Sequence, residues 1–224
     1  MVKKNKLKSL LFVALGCLLL FFALERISNH VGGPRSSEKP MIKGTILSKP
    51  LSLPKVALQR YGHDAFTNDD FKDHWTLLFF GFTNCPKVCP TTMAQLNAMI
   101  ESLQQKVTAE HMPQVIMVSV DPARDTAKRM HSYVTSFNPN FIGLRTDEAA
   151  ISNLALAMNV SYAKVDMKGM NHDHMHMDHY TMTHTATISV IGPAGQVRAY
   201  LSYPHHGQEM ANDYLSILGF YHQI

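Results

Sequence analysis

From Trp75 to Phe82 the chain reads WTLLFFGF, eight positions without a charge, and QVIMVSV at 114–120 repeats the form. Short unbroken apolar runs of this kind mark strands buried on both faces, whereas a half-exposed strand alternates. Between the two runs, PTTMAQLNAMIESLQQKV sets Met93, Leu96, Ile100 and Leu103 at helical intervals, which predicts a helix with its methionines in the core. RDTAKRMHSYVTSF then reads as a helix, FIGLRT as a strand, and DEAAISNLALAMN as a helix that Asp147 can cap. Further on, VSYAKVD and TATISVI predict strands on either side of a polar insert at 167–183. GPAG at 192–195 is a turn, QVRAYLSY a strand partnering TATISVI, and GQEMANDYLSILGFY an amphipathic closing helix. Upstream, GTILSKPLSLPKVALQR gives strand-like pieces broken by Pro50 and Pro54, which suggests an opening hairpin.

Parallel strand–helix units followed by a hairpin and a last helix predict an α/β fold. The expected form is a thioredoxin-like three-layer sandwich, its sheet covered on both faces. The first residues follow another pattern. Lys3, Lys4, Lys6 and Lys8 precede LLFVALGCLLLFFAL at 10–24, a run with no charge. A spanning helix needs roughly 20 residues, and Leu7 and Ser9 can extend the run. Lysines on its N-terminal side predict that this end stays in the cytoplasm and the rest is exported. VALGC faintly resembles a lipoprotein processing site at Cys17, but an apolar stretch follows it and no small-residue pair marks a cleavage site before Glu25. The expected division is a cytoplasmic stub and uncleaved transmembrane signal anchor at 1–27, a Gly/Ser/Pro-rich tether at 28–40, and a soluble body at 41–224. Cys17 is then a small apolar residue of the anchor.

Net charge is +4 over 224 residues, but residues 1–40 hold seven Lys/Arg against two Asp/Glu. The body, with 14 basic and 15 acidic residues, is close to neutral, so nothing points to a nucleic-acid partner. Its only cysteines are Cys85 and Cys89, in FFGFTNCPKVCPTTM. A bridge between them closes too small a loop to restrict the unfolded chain much, so a purely structural disulfide explains them poorly. They fall after a buried strand and at the start of the next helix, where Pro86 and Pro90 are tolerated. The positive end of that helix favours thiolate at both sulfurs. Thiolate serves both disulfide exchange and metal binding, so position leaves the two chemistries open. The four-residue spacing can converge both sulfurs on one soft ion. Two sulfurs cannot make a tetrahedral zinc site, while a cuprous ion accepts two thiolates and one imidazole.

GFTNCPKVCPTTM, VSVDPARDT at 118–126 and HTATISVIGPAGQV at 184–197 together resemble, in order, three signatures of the Sco/SenC family. These are thioredoxin-fold copper proteins that help assemble the binuclear copper centre of cytochrome oxidase. The likeness runs over roughly residues 41 to 220. It implies that Cys85, Cys89 and His184 form a copper site, for Cu(I) or Cu(II). It also implies a copper-bearing subunit of cytochrome c oxidase as recipient, and a periplasmic thiol reductant or copper donor as a further partner. The body would stand in the periplasm, outside a bacterial inner membrane crossed once by the N-terminal helix. The fold agrees on the third ligand, because the residue opening the hairpin strand faces the cysteine turn in thioredoxin-like proteins. Two positions depart from the family pattern: Lys87 stands within CxxxC, and Thr183 precedes the histidine, where acidic residues are common.

The insert adds ligands of its own. Residues 167–184, MKGMNHDHMHMDHYTMTH, contain five of the 13 histidines and five of the 14 methionines. Imidazole and thioether both bind copper. The expected accessory ligands are His172, His174, Met175, His176, Met177 and His179. Asp121, Arg124 and Asp125 read equally well as a turn and helix start. His205 and His206 read as a helix-entering turn, His63, His74, His111 and His131 as surface residues, and Trp75 as a packing residue at a strand start.

The leading function is therefore a membrane-tethered copper chaperone that passes the ion by ligand exchange and catalyses no bond formation. The alternative is a thiol–disulfide oxidoreductase that reduces a metal-receiving partner. A passive copper buffer would rest mainly on the insert. FTNC lacks the Pro-x-x-x-Thr-x-x-Cys pattern of peroxiredoxins, which speaks against a peroxidase.

Overall fold

The computed structural model describes residues 39–166 and 180–222. By internal contacts the chain divides into Met1–Lys39 and Pro40–Ile224. The predicted anchor and residues 28–38 of the tether lie outside the described residues, as do the expected accessory ligands His172, His174, Met175, His176, Met177 and His179. Among the described residues no helix is long and apolar enough to cross a membrane.

The two charge-free runs form β4 (Thr76–Gly81) and β5 (Gln114–Ser119), parallel neighbours at the centre of an eight-stranded sheet. Every residue of β4 is buried. A strand buried at every position needs cover on both faces, and each of Leu77, Leu78, Phe79 and Phe80 contributes about 1.5–3 kcal/mol by leaving water. β6 (Ile142–Arg145) continues the parallel set beyond β5. On the other side β9 (Ile188–Gly192) runs antiparallel to β4, followed by β10 (Gln196–Leu201) and β1 (Gly44–Ser52).

β4 leads into α1 (Val88–Leu103), whose buried face includes Cys89, Met93, Leu96, Met99 and Leu103. The closing helix α4 (Gly207–His222) packs on α1. No side chain could stand at Gly207, because a Cβ would meet the Gln95 carbonyl oxygen at 2.9 Å and the Ala98 methyl at 2.7 Å. α2 (Ala127–Thr135) lies along β6 and starts at Thr126, whose hydroxyl accepts the Arg129 N–H at 3.1 Å. α3 (Glu148–Ala157) starts at Asp147 as expected, with the carboxylate accepting the Ala150 N–H at 2.9 Å. Trp75 is buried at the start of β4 and meets Tyr214 edge-on, ring centroids 6.0 Å apart.

Two expectations are corrected. The opening segment is no hairpin: β1 pairs with β10 at one edge, while β2 (Ala57–Arg60) crosses to the far side and pairs with β6 and β3 (Phe66–Thr67). Pro54 lies between β1 and β2, which do not pair with each other: β1 joins the sheet through β10 and β2 through β6. The polar insert is also shorter than 167–183. Residues 180–183 belong to β8 (Tyr180–His184), which pairs with β7 (Tyr162–Asp166) as a separate two-stranded ribbon. His184 therefore closes the ribbon instead of opening β9, which starts at Ile188. Alternating Tyr180, Met182 and His184 share a face, a period masked by the threonines between them.

Candidate metal centre

β4 ends at Gly81, where a Cβ would meet Met117 Cε at 2.8 Å, Phe79 Cε1 at 2.9 Å and Cys89 Sγ at 3.1 Å. Lacking that carbon, the strand end lets Cys89 settle over it, wholly buried, while Cys85 is half-buried at the turn above. The first turn of α1 has no side-chain oxygen as cap at Lys87. Its Cys89 N–H is instead accepted by Cys85 Sγ at 3.3 Å. The sulfur thus fills the place of an N-cap, at the positive end of the helix.

The sequence gap of 95 residues between Cys89 and His184 closes to 3.5 Å, measured from Cys89 Sγ to His184 Nε2. His184 Nδ1 lies 3.2 Å from the Thr185 carbonyl, which can only accept. Nδ1 therefore carries the proton, and the Nε2 lone pair faces the thiols. Phe79 and Phe82 hold the imidazole edge-on, at centroid distances of 5.5 and 6.1 Å. Cys85, Cys89 and His184 are thus brought together, with both cysteines free thiols. Among the described residues no three or more His, Cys, Asp or Glu side chains are gathered into a group that could hold a metal ion as it stands; what the structure brings together is the pair Cys85–Cys89 and the pair Cys89–His184.

The expected thiolate character falls on one sulfur only. Cys85 is lowered to about 4, chiefly by the hydrogen bond from the Cys89 side chain. Burial opposes this, and His184 with the backbone N–H groups of Cys89 and Lys87 supports it. Cys89 is pushed far up, first by its bond to Cys85, then by burial and by the Cys85 charge. The Cys89 proton thereby has two acceptors, Cys85 sulfur and His184 Nε2.

The VSVDPARDT stretch does more than start a helix. Buried Asp125 accepts the Thr83 N–H at 3.1 Å and the Ser119 hydroxyl at 2.7 Å, and also the Thr83 hydroxyl. Arg129 Nε donates to Thr83 Oγ1 at 2.7 Å, and its guanidinium reaches the Asn84 side-chain oxygen. Together these fix the two residues that precede Cys85. Asp121 accepts the Tyr180 hydroxyl at 2.9 Å and pairs with Arg124. Arg124 also donates to the Tyr180 carbonyl at 3.1 Å and lies 3.8 Å from the ring centroid, as does the Lys164 ammonium. One short segment thus positions both the cysteine turn and the strand that carries His184.

Thr83, Ser119, Arg129 and Tyr180 were not legible as site residues, since their role exists only across folded elements. The available signal was the pair of aspartates in VSVDPARDT, because buried carboxylates require donors. His205 is buried, and its Nε2 donates to the Ala186 carbonyl at 2.8 Å, which tethers the segment between β8 and β9. His206, His63, His74 and His131 are exposed, and half-buried His111 bonds Thr108 at 2.8 Å.

Comparison with known proteins points one way. A family model described as SCO1/SenC matches residues 57–219. The mitochondrial SCO1 homolog 1 of Arabidopsis thaliana is 28% identical over 183 residues, 82% of this chain and 52% of its own, so the chain spans about half of that relative. The apo Sco1 protein of Thermus thermophilus has 32% identity and a TM-score of 0.66, covering 79% of this chain and 97% of its own. ScoI of Bradyrhizobium japonicum, solved with copper bound, has 30% identity and a TM-score of 0.61, covering 73% of this chain and 98% of its own.

Proposed function

The chain belongs to the SCO1/SenC family, and from that premise we propose that it is a membrane-anchored copper chaperone. It delivers copper to the binuclear centre of cytochrome c oxidase during assembly. Copper is cargo here, held by Cys85, Cys89 and His184 and passed on by ligand exchange. The anchor is residues 1–27, and the body works in the periplasm of a bacterial inner membrane. The observation that carries this reading is the meeting of Cys89 and His184 at 3.5 Å beside Cys85. Two sulfurs and one imidazole nitrogen are a soft, low-coordinate donor set, which suits the cuprous ion. The fixed Nδ1 proton keeps Nε2 free to bind. Copper bound to the Bradyrhizobium relative supports the choice of metal. The insert residues His172, His174, Met175, His176, Met177 and His179 serve as extra, weaker copper ligands.

The asymmetry of the thiols favours a second activity at the same residues. Cys85 thiolate attacks a partner disulfide, forming a mixed disulfide and releasing one partner thiolate. Cys89 gives its proton to His184 Nε2 and attacks Cys85, which releases the second partner thiolate. The partner gains two electrons and this chain ends with a Cys85–Cys89 bridge. Such a step would prepare the recipient's cysteines for metal.

Copper(I) titration of the reduced full chain against a competing chelator tests the leading reading. One tight site is expected, lost in Cys85→Ser and Cys89→Ser and weakened in His184→Ala, while deletion of 167–179 removes only weaker sites. Tight binding that survives loss of both cysteines overturns it.

A further inference from the structure

Charge is unevenly spread over a body that is nearly neutral. Residues 82–100, which hold the cysteine turn and most of α1, contain one charged side chain, Lys87, and it is exposed. Residues 121–135 contain Asp121, Arg124, Asp125, Lys128 and Arg129. Both carboxylates are buried and occupied by internal donors, while Lys128 and Arg129 reach solvent. Residues 180–208, which deliver His184, contain no Asp or Glu at all. Arg129 binds the side chains of Thr83 and Asn84, so the start of α2 stands directly beside Cys85. Among the described residues no carboxylate lies within ion-pair distance of Lys87, Lys128 or Arg129.

The opposite end of the sheet carries the reverse sign. Asp69, Asp70 and Asp73 precede β4, Glu101 lies in the last turn of α1, and Glu110 precedes β5, all exposed, against Lys72, which pairs with Asp69, and Lys106. β4 and β5 are parallel, so their N-terminal ends share the edge farthest from the cysteine turn. At the cysteine edge the exposed acids Asp147 and Glu148 follow β6, two strands from β4, so the basic rim is local to the turn and the start of α2. A local rim of one sign orients approaching partners, and does so more strongly at low salt.

We propose that the rim of the cysteine site, Lys87 with Lys128 and Arg129, is a docking surface for an acidic protein face. It rests on the proposed function in that the partner is the one that exchanges copper or electrons with Cys85. Asp121 and Asp125, the carboxylates nearest in sequence to Lys128 and Arg129, are turned inward to position Tyr180 and Thr83. The rim thereby selects partners whose thiol- or copper-bearing site is bordered by Asp and Glu, and repels basic ones.

The test needs no natural partner and no copper. The reduced full chain is mixed with two synthetic peptides, each with one cysteine in mixed disulfide with 5-thio-2-nitrobenzoate. One peptide has four Glu around the cysteine, the other four Lys. Cys85 thiolate bonds to the peptide sulfur, the old disulfide breaks, and thionitrobenzoate leaves with the electron pair as a coloured thiolate. The Glu peptide should react faster by about tenfold at low ionic strength, with the ratio falling toward one near ~0.5 M salt. Lys87→Glu with Lys128→Glu should collapse or invert the ratio. A ratio near one in the unaltered chain at low salt overturns the proposal, as does a ratio indifferent to the two substitutions. The ratio cancels any change in thiolate reactivity. Absence of a tight site in the separate copper(I) titration, with the ratio as expected, would instead count against the chaperone reading alone.

Discussion

The two halves of the proposed metal centre are built differently. The thiols sit on the central strand and its helix, where Cys89 is fully buried and Gly81, Phe79 and Met117 enclose it. The imidazole comes from the β7–β8 ribbon, which pairs with no strand of the main sheet. That ribbon rests on the core only through half-buried side chains, Tyr162 and Met182, and the rings around His184, and is tied by Tyr180 to Asp121 at 2.9 Å and Tyr162 to Ser152 at 2.8 Å. Apolar packing resists displacement because close-packed cores have few alternative arrangements, whereas a set of hydrogen bonds at a surface can exchange with water. Of the three proposed ligands, two are thus fixed more firmly than the third, which under the proposed function would suit an ion that is held and then given up.

The largest effect expected from breaking this contrast is on the fixed half. Asp125→Ala strands the Thr83 N–H and the Ser119 hydroxyl, so urea denaturation should show a loss of about 2–3 kcal/mol. Gly81→Val forces a branched side chain against Met117, Phe79 and Cys89, and the same measurement should read about 1–3 kcal/mol. A change in either case no larger than that of an exposed substitution would show that the cysteine turn is not held as described.

On the adjustable half, Tyr180→Phe removes one hydroxyl and its bond to Asp121. Stability should fall by only about 1 kcal/mol. Copper(I) affinity should fall by roughly tenfold, the scale on which groups behind metal ligands act. An affinity loss no greater than the stability loss explains would mean that the clamp does not position His184.

The smallest perturbation is a proton. Because Cys85 is lowered to about 4 while Cys89 is pushed up, iodoacetamide at neutral pH should modify Cys85 alone. The rate should stay level as pH falls and drop by half near pH 4. Folding lowers this group, so its stabilisation is complete above the ordinary thiol range and is lost as pH falls through about 4. Equal reaction of both thiols at neutral pH would contradict the assignment.

The same contrast governs what the sequence disclosed. WTLLFFGF, QVIMVSV and CPKVC carry their meaning locally, in unbroken apolar runs and a four-residue spacing, so the central sheet and the thiol turn were legible. His184 was legible through a resemblance to known signatures, though its strand was misplaced. TMTH alternates small polar with larger residues and lacks the apolar run that marks a buried strand, and its partner VSYAKVD lies beyond the insert. Residues 180–183 consequently read as loop. Tyr180, Thr83 and Arg129 stayed hidden because hydrogen bonds between residues 42 to 59 positions apart leave no local pattern.

X-ray absorption at the copper edge, on the Cu(I)-loaded full chain and on His184→Ala, tests the central claim most directly. Two sulfur ligands and one nitrogen are predicted for the unaltered chain, with the nitrogen lost and both sulfurs kept in the variant. A nitrogen shell that persists in His184→Ala, or fewer than two sulfurs in the unaltered chain, would contradict a site made of Cys85, Cys89 and His184.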